Sequence, residues 1–224
     1  MRSSTASVPR PTRPTKVAGR STDKRRQLIV NAAFEEFRRK GFAAARMDDI
    51  AVRARVAKGT LYLYFRNKQS LFQAIIQQEI SPVIEAAAGT IGADESVRDF
   101  LERAVLPFVA SPGLERRAAV VRLLVGEAGR FPKLAETYFR SVIQPGMDVF
   151  RRLGERALRR GELANRAVLQ FPHLMAAPLV VTLLWTELFN RFEPLDGEAM
   201  LRAHFDQLFQ PSKPVRNPRR SKGR

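Results

Sequence analysis

The residues best suited to chemistry lie close together between Met47 and Lys68. One short segment there combines a lysine, a glycine, a threonine and two tyrosines, namely Lys58, Gly59, Thr60, Tyr62 and Tyr64. A lysine neutralises a phosphate group, hydroxyl groups donate hydrogen bonds to phosphate oxygens, and glycine lets two backbones approach closely. The segment therefore predicts a surface that binds nucleic acid. The alternative interpretation is an ordinary helical hairpin with exposed tyrosines.

Two short helices joined by a tight turn would position this segment. Apolar residues recur at helical spacing, four residues apart, at Ile50 and Ala54 in the first helix and at Leu61 and Phe65 in the second. Val56 would fill the corner between them. The other side chains of the second helix are then left to face outward.

This region resembles the DNA-binding signature of the tetracycline-repressor (TetR) family. The matching residues are Ile50-Ala51, Ala54, Val56 to Phe65, Asn67-Lys68 and Leu71-Phe72, and the likeness covers residues 24–72. A weaker likeness, in Arg130 to Leu134 with Tyr138 downstream, is to one of the family's regulatory-domain types. The resemblance implies a homodimer that binds double-stranded DNA at a palindromic operator.

The predicted DNA-binding residues combine this resemblance with the local charges. They are Arg46, Met47, Lys58, Gly59, Thr60, Leu61, Tyr62, Tyr64 and Lys68. Lys58 is the best candidate for reading a base, because lysine can donate to guanine O6 and N7. Lys68 begins the next helix, where its ammonium group and the backbone N–H groups together suit a phosphate.

Three positions depart from the family pattern. Arg46 stands where a threonine usually caps the first of the two helices, and an arginine side chain accepts no hydrogen bond from a helix N–H. Arg55 replaces a glycine in the turn, where a left-handed backbone would cost an arginine about 1 kcal/mol. Ala57 replaces a capping serine before the second helix. These departures predict weaker caps in an otherwise typical fold.

Charge divides the chain of 224 residues into a basic end, a basic tail and a neutral middle. The formal net charge is +17, and the segment 73–210 is close to neutral. We predict a disordered basic arm at 1–22, a DNA-binding domain at 23–83 with the helix-turn-helix at about 46–65, an effector and dimerisation domain at 84–210, and a disordered tail at 211–224. Such a distribution favours a polyanionic partner bound at one end.

The periodicity predicts an all-α protein of about nine helices, with an N-terminal three-helix DNA-binding domain and a larger C-terminal helical domain. We expect the first helix over about Asp23 to Lys40, a fourth helix interrupted by Pro82, and a seventh from Pro132 to about Arg160 that is disturbed at Pro145-Gly146. The eighth, about Phe171 to Phe192, would kink near Pro178. The ninth would run from about Gly197 to Phe209.

The eighth helix is apolar nearly all round, which predicts burial on two sides. A second copy of the chain is the simplest cover, so the eighth and ninth helices are predicted to form a homodimer through Leu184, Leu188, Leu201, His204, Phe205 and Leu208. A small hydrophobic effector among helices five to eight would contact Phe108, Leu124, Phe139, Phe150, Phe171 and Trp185. The alternative for these residues is plain core packing.

Catalytic patterns are missing from the sequence. The chain has no cysteine, and neither His173 nor His204 has a metal-ligand partner three or four residues away. No glycine-rich phosphate loop follows a strand. We therefore expect no enzyme, no metal, no cofactor and no membrane insertion, and a cytoplasmic location without a secretory signal.

These observations together predict a transcriptional regulator, most simply a homodimeric repressor released by a small apolar effector. One alternative is a DNA-binding protein of the same fold without small-molecule control, acting through architecture or a protein partner. The other is a general binder of polyanions or membrane surfaces, driven by the basic tails.

Overall fold

The structure is a computed structural model that describes the backbone of residues 16–210 and the side chains of residues 22–210. The predictions made for residues 1–15 and 211–224 lie outside the described residues. Helix α1 spans Lys16–Ala44, so it begins seven residues before the predicted start. Its backbone leaves the helical region at Gly41, where φ is 76° and ψ is 167°, as expected for the glycine that ends the long helix.

Helices α2 and α3 follow the predicted bounds closely. Helix α2 spans Met47–Ala54 and α3 spans Lys58–Tyr64. The remaining helices of the described chain are α4 (Lys68–Glu79), α5 (Ser81–Ala87), α6 (Val97–Val109), α7 (Leu114–Glu127), α8 (Pro132–Tyr138), α9 (Gln144–Arg159), α10 (Ala167–Gln170), α11 (His173–Leu188) and α12 (Gly197–Leu208). A π-helical turn, Phe139–Ile143, joins α8 to α9.

The chain is divided more finely than the predicted nine helices, mainly because of its prolines. Proline has no N–H to donate, so the predicted fourth helix becomes α4 and α5 at Pro82. The predicted seventh helix is interrupted by the π-helical turn just before Pro145. The short helix α10 was not predicted. Between residues 16 and 210, the β-type pairing is a single bridge from Leu163 to Phe209.

Pro178 lies within α11, which continues from His173 to Leu188. A proline in a helix leaves the carbonyl four residues earlier without its usual donor, and that carbonyl belongs to Leu174. The His204 Nε2 atom of α12 lies 2.7 Å from the Leu174 oxygen. Because a carbonyl oxygen only accepts, Nε2–H is the donor. His204 is therefore packed against α11, where it supplies the hydrogen-bond donor that Pro178 cannot give to the Leu174 carbonyl.

Two large apolar clusters and a small one around Ala118, Val121 and Leu183 form the core of the described residues. The first joins α1–α4 to residues of the C-terminal part, including Val120, Leu123 and Leu134. The second joins α6, α9 and α12 through residues such as Phe100, Phe150 and Phe205. The first cluster crosses the predicted boundary at residue 83, because α1 and α4 pack directly against α7 and α4 also packs against α8. Among the described residues, no helix is both long and apolar enough to cross a bilayer.

Candidate nucleic-acid interface

Helix α3 has one face in the core and one face free. Leu61 is completely buried and Phe65, which follows the helix, is 4% exposed. The opposite face carries Lys58, Tyr62 and Leu63, and the exposed fractions of the last two residues are 46% and 85%. A helix held on one side, with basic, phenolic and apolar groups on the other, has the shape and chemistry to enter a major groove.

Leu63 is a residue that the sequence argument missed as a contact. It lies in the middle of α3 and is the most exposed of the large apolar side chains on that helix. An apolar side chain in the major groove can contact the methyl group of thymine. Its place on the face opposite Leu61, two residues away, was a signal available from the sequence.

The predicted weak caps are all confirmed. Arg46 precedes α2 with an extended backbone and makes no capping hydrogen bond, and Ala57 precedes α3 without one. Arg55 has φ of 54°, in the left-handed region. The Arg46 side chain is exposed, so its guanidinium remains available to a phosphate.

Lys58 forms an ion pair with Asp48 at 2.9 Å, and both side chains are more than half exposed. The hydrogen bond and the charge of Asp48 raise the pKa of Lys58. An exposed pair of this kind adds little to the stability of the fold. Lys58 can donate to a guanine only if its ion pair with Asp48 breaks. The strength of that ion pair therefore subtracts from the free energy gained by the contact with the base.

Three predicted DNA contacts are placed differently. Leu61 is fully buried and Met47 packs partly against the first core cluster, so both residues support the interface from inside. The Lys68 ammonium turns inward and donates to the carbonyl oxygens of Phe42 and Ala43, at 2.6 and 3.0 Å. Burial lowers the pKa of Lys68. Its side chain ties α4 to the end of α1 instead of meeting a phosphate, because those carbonyls have no helical donors of their own.

The remaining predicted contacts stay compatible with an interface. Gly59 is exposed, and a methyl group built on it would meet no other atom within 4 Å, so close packing inside the subunit does not explain this glycine. Thr60 is half-buried, and Tyr64 is half-buried against the first core cluster. Of the two tyrosines, Tyr62 is therefore the better candidate for a direct contact.

A buried carboxylate, Glu36, sets the angle between α1 and α2. It is 1% exposed and binds Arg53 of α2 at 3.0 Å, Lys40 at 2.7 Å and Arg39 at 3.1 Å. Lys40 also binds Asp49 of α2 at 2.7 Å. These contacts join α2 to α1 by charge, and the long sequence separation between the partners hid them from sequence analysis.

The Glu36 contacts predict a specific acid sensitivity. Burial by itself raises the pKa of Glu36, but the hydrogen bonds from Lys40 and Arg53 and the charges of Arg39 and Lys40 together outweigh burial, so the pKa of Glu36 lies below its ordinary value. A carboxyl group whose pKa is lower in the folded state than in the unfolded state stabilises the fold when the pH is above the unfolded-state pKa. This stabilisation is lost as the pH falls through the folded-state pKa. We expect the free energy of unfolding to decline on acidification below about pH 4.5.

The measurement is urea unfolding between about pH 6 and pH 3 for the wild type and for Glu36→Gln. The variant should be less stable at the upper pH and should lose less stability on acidification. Glu35, which is half-buried on the same helix and pairs with Arg38, provides a control as Glu35→Gln. Equal acid sensitivity in the wild type and Glu36→Gln would contradict the assignment.

A second feature is an enclosed cavity in the C-terminal part. It has a volume of about 90 Å³ and is enclosed by α5, α6, α9 and α11 together with Arg117 and the π-helical turn. Of the predicted effector contacts, Phe108 and Phe150 line it. The sequence argument missed Arg117 as a lining residue, and Tyr138, noted for its family likeness, also lines the cavity.

The other four predicted effector contacts lie elsewhere. Phe139 and Phe171 are 53% and 51% exposed. Leu124 packs against the first core cluster. Trp185 contacts Phe189 and donates to the Glu193 carbonyl at 2.7 Å. The spacing of aromatic residues along the sequence did not show which of them line the cavity and which lie on the surface. The other helices that pack around each residue determine whether it faces the cavity.

The predicted dimer residues divide in the same way. Leu201, Phe205 and Leu208 are buried in the second core cluster of their own subunit, and His204 is bound to Leu174. Leu184 is half-buried and Leu188 is 43% exposed. Only the last two are positioned to meet a second copy without rearrangement of the subunit.

Comparison with known proteins shows the family of the chain. Residues 29–75 match the family model "Bacterial regulatory proteins, tetR family", and residues 93–204 match "Tetracyclin repressor-like, C-terminal domain". The chain is 29% identical over 163 residues to YdeS of Bacillus subtilis, named as an uncharacterized helix-turn-helix transcriptional regulator, which covers 71% of this chain and 78% of the relative.

Two further matches agree. The transcriptional repressor SCO4008 of Streptomyces coelicolor is 30% identical over 100 residues, which is 45% of this chain and 50% of that protein. The structure of SmeT in complex with triclosan superposes with a TM-score of 0.67 and 21% identity, covering 84% and 93% of the two chains, and shows the shared fold. Since the second family model alone spans half of the sequence, the chain belongs to the TetR family of bacterial regulatory proteins, as a DNA-binding transcriptional regulator and not an enzyme.

Proposed function

We propose that the chain is a homodimeric repressor that binds a palindromic operator through two copies of α3 and is released by a small apolar molecule. The observation that carries the proposal is the free face of α3. Lys58, Tyr62 and Leu63 are exposed there while Leu61 and Phe65 anchor the helix behind them. SCO4008 is named a repressor, which favours the same direction of control here.

The proposed dimer surface is the outer face of α11. Ala177, Val181, Leu184 and Leu188 recur along one side of this helix, and three of them are exposed. Phe189 and Phe192, 46% and 73% exposed, extend the apolar surface beyond the helix. An apolar stripe of this extent on a monomer indicates a protein interface. A twofold axis beside α11 would present two α3 helices to successive major grooves, roughly 34–36 Å or more apart.

Helix α7 is the proposed link between the cavity and the DNA-binding helices. On one side, its Arg117 lines the cavity. On the other, Arg116 binds Glu79 of α4 at 2.8 Å and lies 4.3 Å from the Phe34 ring of α1. At its end, Glu127 accepts a hydrogen bond from the Phe42 backbone N–H at 2.9 Å.

This arrangement lets a ligand act on the DNA-binding helices. A molecule that fits the cavity better when α7 has shifted would favour a form in which α1 and α4 are displaced. Release of DNA requires that the ligand prefer this form over the DNA-bound one. The direct tests are selection of bound fragments from the source genome and binding assays on the enriched sequence.

The contact at α3 gives the mutational test. Tyr62→Ala is expected to weaken operator binding by more than about tenfold, since loss of one good contact is worth roughly 1–3 kcal/mol. Its stability should change little, because the ring is half exposed. The measurement is a fluorescence-anisotropy titration at fixed salt concentration, with the melting temperature measured in parallel.

Phe139→Ala is the matched control, since it removes a ring of similar exposure that is remote from α3 in sequence and packs in the C-terminal part. Tyr62→Phe removes the hydroxyl group and keeps the ring, so it distinguishes the contributions of the two groups to operator affinity. Unchanged affinity in Tyr62→Ala would show that this face of α3 does not bind the operator.

A further inference from the structure

The cavity wall is apolar except at two side chains. The lining residues come from several helices and include Val83, Val105 and Leu183, and only Arg117 and Tyr138 among them carry polar side-chain atoms. Burial raises the pKa of Tyr138 to about 12, so its hydroxyl group stays protonated. The two polar groups are both hydrogen-bond donors, and the guanidinium is the one charge in this wall of described side chains.

Arg117 is buried without a carboxylate partner. Arg117 is 9% exposed, and no carboxylate oxygen of residues 22–210 forms an ion pair with its guanidinium group within 4.0 Å. Its Nη2 group donates to the Phe108 carbonyl at 2.6 Å and to the Ser111 hydroxyl. The nearest carboxylate that acts on its charge, Glu79, is bound to Arg116.

The Nε–H group of Arg117 has no hydrogen-bond partner within the described structure. A buried donor left unpaired is unfavourable, and a buried charge without a counter-charge is more so. Burial lowers the pKa of Arg117, but an arginine side chain does not lose its proton in a protein. The subunit alone therefore leaves the Nε–H donor unpaired and gives the guanidinium no carboxylate partner, although its Cζ atom lies 5.5 Å from the centre of the Phe108 ring at the edge of the cavity.

We propose that the effector is a small amphipathic carboxylate whose anionic head pairs with the guanidinium group of Arg117 and whose apolar tail fills the cavity. This inference rests on the proposed effector control and names its ligand class. An ionised acceptor makes a stronger hydrogen bond than a neutral one and also compensates the guanidinium charge. The cavity volume of about 90 Å³ is well above the ~10–15 Å³ that one water needs, so the cavity has room for a short aliphatic tail.

The probes are three molecules that share an eight-carbon chain and differ in the head: octanoate, 1-octanol and octylamine. Thermal shift and calorimetric titration use the full chain at neutral pH. Octanoate should bind at least about tenfold more tightly than octanol, and octylamine should bind more weakly than either, because only the anion complements Arg117. Octanoate should also release the operator fragment.

The matched variants are Arg117→Gln and Arg122→Gln, two arginines on α7. Arg117→Gln removes the charge, so the ratio of octanoate to octanol affinity should fall to about one. Arg122→Gln should keep the wild-type ratio, because Arg122 pairs with Glu187 of α11 and does not line the cavity. If Arg117→Gln does not fold, the preference among the three heads in the wild type still decides the inference.

The outcomes separate this inference from the proposed function. Octanol or octylamine binding as tightly as octanoate, or an unchanged ratio in Arg117→Gln, would overturn the carboxylate head while effector control stands. Release of the operator by a neutral or cationic lipophilic compound, without any release by octanoate, would likewise contradict the carboxylate head and leave effector control in place. Failure of every lipophilic compound tested to bind or release DNA would overturn both.

Discussion

Val181→Glu is expected to leave the protein monomeric and to weaken operator binding by about 100-fold or more. Val181 lies in the middle of the outer face of α11 and is 45% exposed in the subunit. In the proposed dimer, this substitution would bury a carboxylate without a partner, which is strongly unfavourable. A monomer contacts one half-site at a time and loses an avidity gain of roughly 10²–10⁴.

Sedimentation and light scattering measure the assembly, and an anisotropy titration on a palindromic fragment measures the affinity. Ala135→Glu, at an exposed position of α8, adds the same charge away from α11 and should leave both unchanged. A dimer that persists in Val181→Glu at micromolar concentration would place the interface on another face.

Gly41→Ala is expected to lower the free energy of unfolding by about 2–4 kcal/mol. With φ of 76° and ψ of 167°, Gly41 has a backbone conformation that is essentially confined to glycine. A methyl group there would also lie 2.7 Å from Glu127 Oε1. That oxygen accepts from the N–H groups of Phe42 and Ala43, so displacing it removes the contact between α7 and the end of α1.

Urea unfolding measures the change, and Gly126→Ala is its matched control. Gly126 lies within α7, next to Glu127, and a methyl group on it would meet no atom within 4 Å. Because alanine is favoured over glycine in a helix, this control should be neutral or slightly stabilising. A similar loss of stability in both variants would show that neither the Gly41 backbone nor Glu127 accounts for the effect.

The helix-turn-helix was predictable from the sequence nearly to the residue. The starts of α2 and α3, the left-handed Arg55 and the missing caps at Arg46 and Ala57 all match the structure. These features depend on hydrogen bonds and side-chain spacing within one turn of helix, so neighbouring residues determine them.

The C-terminal part was less predictable because its contacts join distant residues. Leu201 and Phe205, expected at a dimer interface, are buried in their own subunit. An apolar stripe on a helix predicts that this face of the helix is buried. The stripe does not show whether the face packs against the same subunit, a second copy of the chain or a ligand.

The sequence by itself determined the all-helical class, the DNA-binding helices and the family, since helical periodicity and the signature around Lys58 to Phe65 are local. Only the tertiary structure decided the partners of the charged side chains. It turned Lys68 toward the end of α1, enclosed Glu36 among three cations and left Arg117 without a carboxylate at the cavity. The physical reason is that pairing and burial depend on which helices pack together, and residues far apart along the chain determine that packing.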